Sequence, residues 1–220
     1  RVAAFHRDGF VLGDQVLSDS EVEELRQELD RVIDNYQDET KPQPVRIANL
    51  GGDEQAPVWQ IVNMWQASQP FRSLTHHPKI VAEVAQLLSA QELRIWHDQV
   101  QYKPSGTGGI TGWHQDSPAW PNIAPKTTQI SSWVALDNID ESNGCMSMVV
   151  GSHNWGVVRG VFPHGRNFDQ MPDEFEGIKL EVRLCPVKKG YVHYHHALTW
   201  HGSHANDSGQ KRRAIANHYM

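Results

Sequence analysis

Cysteine is nearly missing. Only Cys145 and Cys185 occur in 220 residues, so no disulfide framework holds the fold, and a reducing, cytoplasmic setting is expected. No apolar run approaches the ~20 residues that a membrane-spanning helix needs. Clusters of Lys and Arg are also missing, and the formal net charge is −6, which argues against nucleic acid as the main partner. Neither a repeat nor a low-complexity tract is visible, so solenoid and linker architectures drop out. Hydrophobic residues make up 39% and charged residues 21%, the balance of a soluble globular chain. The expectation is one domain over 1–220, with a mainly helical part (1–90) packed on a core (91–220). Because the chain begins at Arg1 rather than Met, further residues upstream are expected.

Histidine and tryptophan are plentiful instead, with thirteen and eight copies. Such totals suit metal or proton chemistry and an organic-ligand pocket, or simply satisfied polar and core positions.

Phe10-Val11-Leu12, between Gly9 and Gly13, reads as an extended entry within residues 5–17. Ser18 three residues before Glu21 is a capping box. Val22, Leu25, Leu29, Val32, Ile33 and Tyr36 follow at helical spacing, predicting an amphipathic helix over 19–37. Residues 40–57 carry prolines and paired glycines and read as loop. Residues 59–68 fit helix and strand equally, and a helix over 78–89 starts on Pro78. Strands are predicted at 91–103, 127–137, 145–150, 178–186, 190–195 and 211–220. Helices followed by consecutive strands point to an antiparallel sandwich or barrel with helices outside. Residues 152–177 form a long irregular stretch, of the kind that serves as a lid or an insertion.

The strand faces divide cleanly. Ile130, Val134 and Leu136 share one face, while Gln129, Ser131 and Trp133 share the other. Gln99, Gln101 and Lys103 oppose Trp96, Val100 and Tyr102, and Arg212 shares its face with Ala214 and Ala216. Such polar faces either meet water or line a polar cavity, and periodicity does not choose.

The chemistry concentrates at Trp113-His114-Gln115-Asp116. In an extended strand His114 and Asp116 would leave the same face, giving two of the three ligands of a 2-His-1-carboxylate site for non-haem Fe(II). His201-Gly202-Ser203 supplies a distant imidazole. Arg212 follows in the next strand, a group able to grip a carboxylate through two parallel hydrogen bonds.

These segments resemble the phytanoyl-CoA dioxygenase family of Fe(II)/2-oxoglutarate oxygenases. The likeness runs through Phe10-Val11-Leu12, the capped helix, Lys103-Pro104, His114-Gln115-Asp116 and Trp133-Val134-Ala135-Leu136. It continues through Asn143-Gly144-Cys145, Gly151-Ser152-His153, His201-Gly202-Ser203, Asn206 and Arg212. The resemblance implies a mainly β fold with flanking α-helices around a double-stranded β-helix, or jelly-roll, core. It implies iron on His114, Asp116 and His201, with 2-oxoglutarate held by Arg212 and Ser203 and flanked by Trp133 and Gln99. It implies O2 as co-reactant, and oxidation (a hydroxylation or related step) of a small organic substrate with release of succinate and CO2. Gln60 stands where some members carry a cosubstrate-binding lysine, so one cation is expected to be missing. The carboxylate of Asp116 excludes the halogenating branch, in which a small residue leaves room for halide. A metal-binding sensor without turnover and a zinc-dependent hydrolase are the alternatives.

His193, His195 and His196 read as core or supporting imidazoles rather than ligands. His204 reads as a turn residue, and His76-His77 as preceding a helix. Gly144 and Gly151 read as backbone-geometry positions, and Asn143 and Asn206 as turn stabilisers. Trp120, Trp155 and Arg159, with His164 and Arg166, are candidate substrate contacts.

Overall fold

The computed structural model describes residues 1–120, 125–160 and 168–220. Helix α1, Val2–Asp8, closes on Gly9, whose φ of 85° is left-handed and whose N–H returns to the Phe5 carbonyl. The extended entry is therefore confined to strand β1, Phe10–Gln15. Two turns are too few to leave a readable helical stripe, which is why α1 escapes the sequence. Helix α2, Asp19–Asp34, has the capping box at Ser18 and Glu21 and buries Val22, Leu25, Leu29 and Val32. It stops three residues short of the expected end, where the Asn35 side chain donates to the Arg31 carbonyl.

Strand β2, Arg46–Asn49, lies inside the stretch read as loop and pairs with β3, Trp59–Val62. As a half-buried edge strand it has no alternating pattern to betray it. The ambiguous segment resolves into β3 followed by α3, Met64–Ala67. Helix α4, Gln69–Leu74, precedes α5, Pro78–Leu88, which buries Ile80, Val84 and Leu87.

The remaining strands are β4 Ile95–Lys103, β5 Thr111–His114, β6 Ile130–Ala135, β7 Met146–Val149, β8 Glu174–Phe175, β9 Ile178–Lys179, β10 Val182–Cys185, β11 Tyr191–His196, β12 His201–Ser203 and β13 Arg212–Tyr219. The strand expected over 178–186 is thus split into β9 and β10. Short 3-10 turns occupy Ser117–Ala119, Lys126–Thr128 and Ser152–Trp155. Among the described residues of the long irregular stretch, that last turn and β8 are the ordered elements; His164 and Arg166 fall outside the described residues.

Among the described residues two main antiparallel sheets form, a seven-stranded one in the order β1-β11-β6-β13-β4-β3-β2 and a four-stranded one in the order β10-β7-β12-β5, beside a β8–β9 hairpin. Three strands of the N-terminal part thus join the large sheet. Its outer face, with Ile61, Val100, Ile130, Val134 and Ile215, packs on Leu29, Met64, Phe71, Ile80, Val84 and Leu87 from the helices. Its inner face carries Trp133, Ala135, Ala214 and Ala216 towards Met146 and Met148 of the small sheet. The polar members of the alternating strands therefore line the interior rather than meeting water. This is a jelly roll, a double-stranded β-helix, with helices over one sheet.

Candidate metal and dicarboxylate site

Register brings the two imidazoles together. In the β5–β12 pair, His201 stands directly opposite His114, with ring centroids 4.1 Å apart. Gly202 is required between the site residues, because a Cβ there would lie 2.7 Å from the Phe168 ring and 2.8 Å from the Thr111 carbonyl oxygen.

Asp116 arrives differently from the sequence expectation. Strand β5 ends at His114, and Asp116 sits beyond it in a helical conformation, φ −68° and ψ −48°, heading the turn Ser117–Ala119. The same-face argument for a strand does not hold, yet the turn delivers the carboxylate to the same place. Asp116 Oδ1 lies 3.6 Å from His114 Nε2 and 3.7 Å from His201 Nε2. One ligand atom from each of the three residues falls within 4.8 Å of the others.

The surrounding hydrogen bonds define what those atoms can do. His114 Nδ1 is 2.8 Å from the Gly112 carbonyl, and His201 Nδ1 is 2.9 Å from the Thr199 carbonyl. A carbonyl only accepts, so each Nδ1 carries the hydrogen and each neutral ring presents a bare Nε2 lone pair. Asp116 Oδ2 is turned the other way. It accepts from Ser131 Oγ at 3.0 Å and lies 3.3 Å from His195 Nε2. Ser131 Oγ, having given its hydrogen to Asp116, accepts from His218 Nδ1 at 2.7 Å. Two nitrogen lone pairs and one carboxylate oxygen thus converge with no proton among them, a donor set that fits a divalent cation.

Electrostatics agrees for His201 and Asp116, while at His114 a proton competes with a cation for the ring nitrogen. Burial, then the neighbouring His114, push His201 down to about 3. Burial alone would raise Asp116, but His201, His114 and His195 outweigh it and hold the carboxyl well below its usual range. Burial would also lower His114, but the Asp116 carboxylate wins and its pKa is raised. The His114 side chain is 37% exposed, against 9% for Asp116 and 6% for His201, so the cluster opens to solvent on the His114 side.

Two residues along β12 from His201, roughly 7 Å at strand spacing, a second polar group sits inside the barrel. Arg212 is fully buried on β13, packed at 5.6 Å over the Trp133 ring, and its Nη2 donates to Ser203 Oγ at 3.2 Å. Its Nε and Nη1 have no acceptor among the described residues. A buried guanidinium left short of acceptors is costly, and it fits the far carboxylate of a diacid. Ala214 and Ala216, buried on the same face, leave room between Arg212 and the cluster.

Trp133 Nε1 donates to Gln101 Oε1 at 3.2 Å, and Gln99 accepts from Gln60 on β3. Gln60 is an uncharged amide at that position, and a cation besides Arg212 comes from elsewhere in the large sheet. Lys103, paired with Arg212 across β4–β13, is fully buried with its ammonium 2.7 Å from Ser203 Oγ.

Among the candidate substrate residues, Trp120 lies beside the cluster, its ring 4.9 Å from His218 and 6.2 Å from His97. Trp155 packs on Phe175 at 4.9 Å, against the group around Trp113, Phe168 and Trp200. Arg159 is exposed. Sequence reasoning assigned no site role to Lys103, Ser131, His218 or Gln115. Strand parity could have found Lys103 and Ser131, which share faces with Gln99 and Trp133 respectively. Nothing local marks Gln115, which donates to the Gly156 and Leu198 carbonyls and accepts from Val158 N–H.

A jelly roll holding two imidazoles and a carboxylate at one point, with a buried arginine behind them, has the architecture of the non-haem oxygenases with a facial triad. The chain belongs to the phytanoyl-CoA dioxygenase family, whose sequence profile matches residues 5–214. Peroxisomal phytanoyl-CoA dioxygenase of Bos taurus is 26% identical over 229 residues, covering 98% of this chain and 66% of that protein. The chain thus spans slightly under two thirds of that relative's length. The non-haem α-ketoglutarate-dependent carbocyclase SnoK from nogalamycin biosynthesis superposes with a TM-score of 0.82 at 27% identity, covering 100% of this chain and 82% of that one. The epimerase SnoN of the same biosynthesis, also α-ketoglutarate-dependent, gives 0.81 at 25% identity, covering 100% and 81%.

Proposed function

We propose that the chain is a non-haem Fe(II)/2-oxoglutarate-dependent oxygenase acting on a small organic molecule. His114, Asp116 and His201 hold the iron, and Arg212 with Ser203 holds the far carboxylate of 2-oxoglutarate. The observation that supports this reading is the pairing of a two-nitrogen, one-oxygen donor set with a buried guanidinium, two of whose nitrogens lack acceptors among the described residues. Bound there, iron with 2-oxoglutarate would supply O2 activation and oxidative decarboxylation, giving succinate, CO2 and an oxidised substrate.

The chain's own residues do the rest. Gly112 and Thr199 carbonyls fix both imidazole tautomers. Ser131 and His195 occupy Asp116 Oδ2, leaving Oδ1 as the single ligand atom. Trp133 forms a flat wall under Arg212, and Gln99 borders it. The ligand cluster is buried apart from the exposed edge of His114, and Trp120, beside His218, is a substrate contact in this reading. Trp155 and Arg159 on the following loop are further substrate contacts in this reading. The carboxylate of Asp116 fills the third protein position, which fits hydroxylation or a related oxidation rather than halogen transfer. Relatives are described as a dioxygenase, a carbocyclase and an epimerase, so in this reading the fold alone does not fix which oxidation follows.

The test is a metal- and substrate-dependent assay. Succinate formation from 2-oxoglutarate should require Fe(II) and O2 and should rise with substrate. His201→Ala and Asp116→Ala should each abolish it. Turnover that persists in either variant would exclude the assigned ligands. Metal and 2-oxoglutarate binding without substrate-stimulated O2 uptake would instead define a sensor, and activity with Zn in place of Fe(II) a hydrolase.

A further inference from the structure

The interior holds two cations side by side. Lys103 and Arg212 are cross-strand partners on β4 and β13, both fully buried, and they meet at one hydroxyl. Lys103 Nζ donates to Ser203 Oγ at 2.7 Å, to the Ser203 carbonyl at 3.4 Å and to the His204 carbonyl. Arg212 Nη2 donates to the same Ser203 Oγ at 3.2 Å.

A serine hydroxyl has one hydrogen and two lone pairs. An ammonium and a guanidinium can only donate, so together they fill both lone pairs. The hydroxyl hydrogen is left over and must find an acceptor elsewhere. Three acceptors around Lys103 Nζ, two of them carbonyls, match the three hydrogens of a charged ammonium. No carboxylate is hydrogen-bonded to either cation among the described residues; burial first, and Arg212 next, push Lys103 well below the usual lysine range. The local charge calls for an anion.

We propose that Lys103 is a positioning residue for the dicarboxylate cosubstrate, acting through Ser203: by occupying one hydroxyl lone pair while Arg212 occupies the other, it commits the Ser203 hydrogen to the ligand's far carboxylate. That carboxylate then receives the Ser203 hydroxyl together with the Arg212 nitrogens that lack acceptors. Without the ammonium, the Ser203 and His204 carbonyls lose their donor, and the hydroxyl is free to turn back and satisfy one of them. Lys103 therefore selects for a diacid over a monocarboxylate 2-oxo acid. It also takes over the charge that Gln60 does not supply.

This inference rests on the 2-oxoglutarate reading, and equilibrium binding separates the two. Protein loaded with Fe(II) without oxygen is titrated with 2-oxoglutarate and with 2-oxobutyrate, which has the metal-chelating end but no far carboxylate, following Trp fluorescence or heat. If the unsubstituted protein shows no metal-dependent 2-oxoglutarate binding, the functional reading itself fails. If it binds, Lys103→Met should weaken 2-oxoglutarate at least tenfold and leave 2-oxobutyrate within twofold. Ser203→Ala should do the same, and adding Lys103→Met to Ser203→Ala should cost no more than a further twofold. Ser203→Thr, which keeps a hydroxyl, should restore most of the preference. Should Lys103→Met fail to fold by circular dichroism, Lys103→Gln replaces it; because its N–H donors partly satisfy the carbonyls, 2-oxoglutarate should weaken between twofold and tenfold, with 2-oxobutyrate again within twofold. Independent losses in the double variant, equal weakening of both acids, or no weakening would overturn the assignment to Lys103.

Discussion

Asp116 shows how much one side chain is asked to do. Its Oδ1 faces two imidazole lone pairs, while its Oδ2 is occupied by Ser131 and His195. That division fixes the carboxylate plane and would leave one oxygen for a metal ion. Partners of this type commonly contribute 10- to 100-fold to metal affinity. Ser131→Ala should therefore weaken Fe(II) binding by roughly 10-fold or more, read by competition with a chelator, while the unfolding midpoint of the metal-free protein shifts little. An unchanged metal affinity would show that Ser131 only fills space. The tautomers are set by carbonyls at residues 112 and 199, two positions before each imidazole, an arrangement no residue-type pattern announces.

Elements position these groups, and two connections are open to test. Gln115, between His114 and Asp116, ties the segment at Gly156 and Val158 through two hydrogen bonds and donates a third to the Leu198 carbonyl. Gln115→Ala should raise the substrate KM and speed amide hydrogen exchange around residues 156–158, with Fe(II) affinity near that of the unsubstituted protein. On β4, Asp98 is fully buried and accepts from Trp65 N–H at the start of α3. Burial outweighs those bonds and raises its pKa to about 7.

A carboxyl raised on folding favours the protonated folded state. Its contribution is fully present below the unfolded value, near 3.8, and is lost as pH rises through about 7. Stability should decline between about pH 4 and pH 7 and level off above. Asp98→Asn, which keeps an acceptor oxygen, should flatten that decline, gaining on the order of 2–4 kcal/mol at pH 8 and little at pH 4. Equal pH slopes in chemical denaturation of both proteins would contradict this.

For the molecule as a whole, the cost of the site and the coherence of the fold are linked. The barrel interior holds His193, His195, His201, His218, Lys103 and Arg212, all buried, several with polar atoms lacking partners among the described residues. The hydrophobic stability comes instead from the other face of the large sheet, under the helices. A ligand that binds only the folded state stabilises by mass action, ~2.7 kcal/mol at 100 times its Kd. Adding Fe(II) with 2-oxoglutarate without oxygen should raise the unfolding midpoint by several degrees. In His201→Ala that rise should vanish. No helix among the described residues is long and apolar enough to cross a membrane.

Much of this was legible beforehand. The capping box at Ser18, the stripes of α2 and α5 and the alternation in β4, β6 and β13 are local periodicities, and each fixes an element and its buried face without distant information. The order of short motifs carried the family, and with it the identities of the two imidazoles, the carboxylate and the arginine. Other features depended on the assembled sheets. Whether the polar faces met water or a cavity was decided only when the small sheet closed over the large one. The opposition of His114 to His201 is a matter of β5–β12 register, which residues far apart in the chain settle jointly. The meeting of Lys103 and Arg212 at one hydroxyl needs three strands from both sheets. Periodicity acts within a few residues and is written in the sequence; register and closure are collective, and only the packed chain determines them.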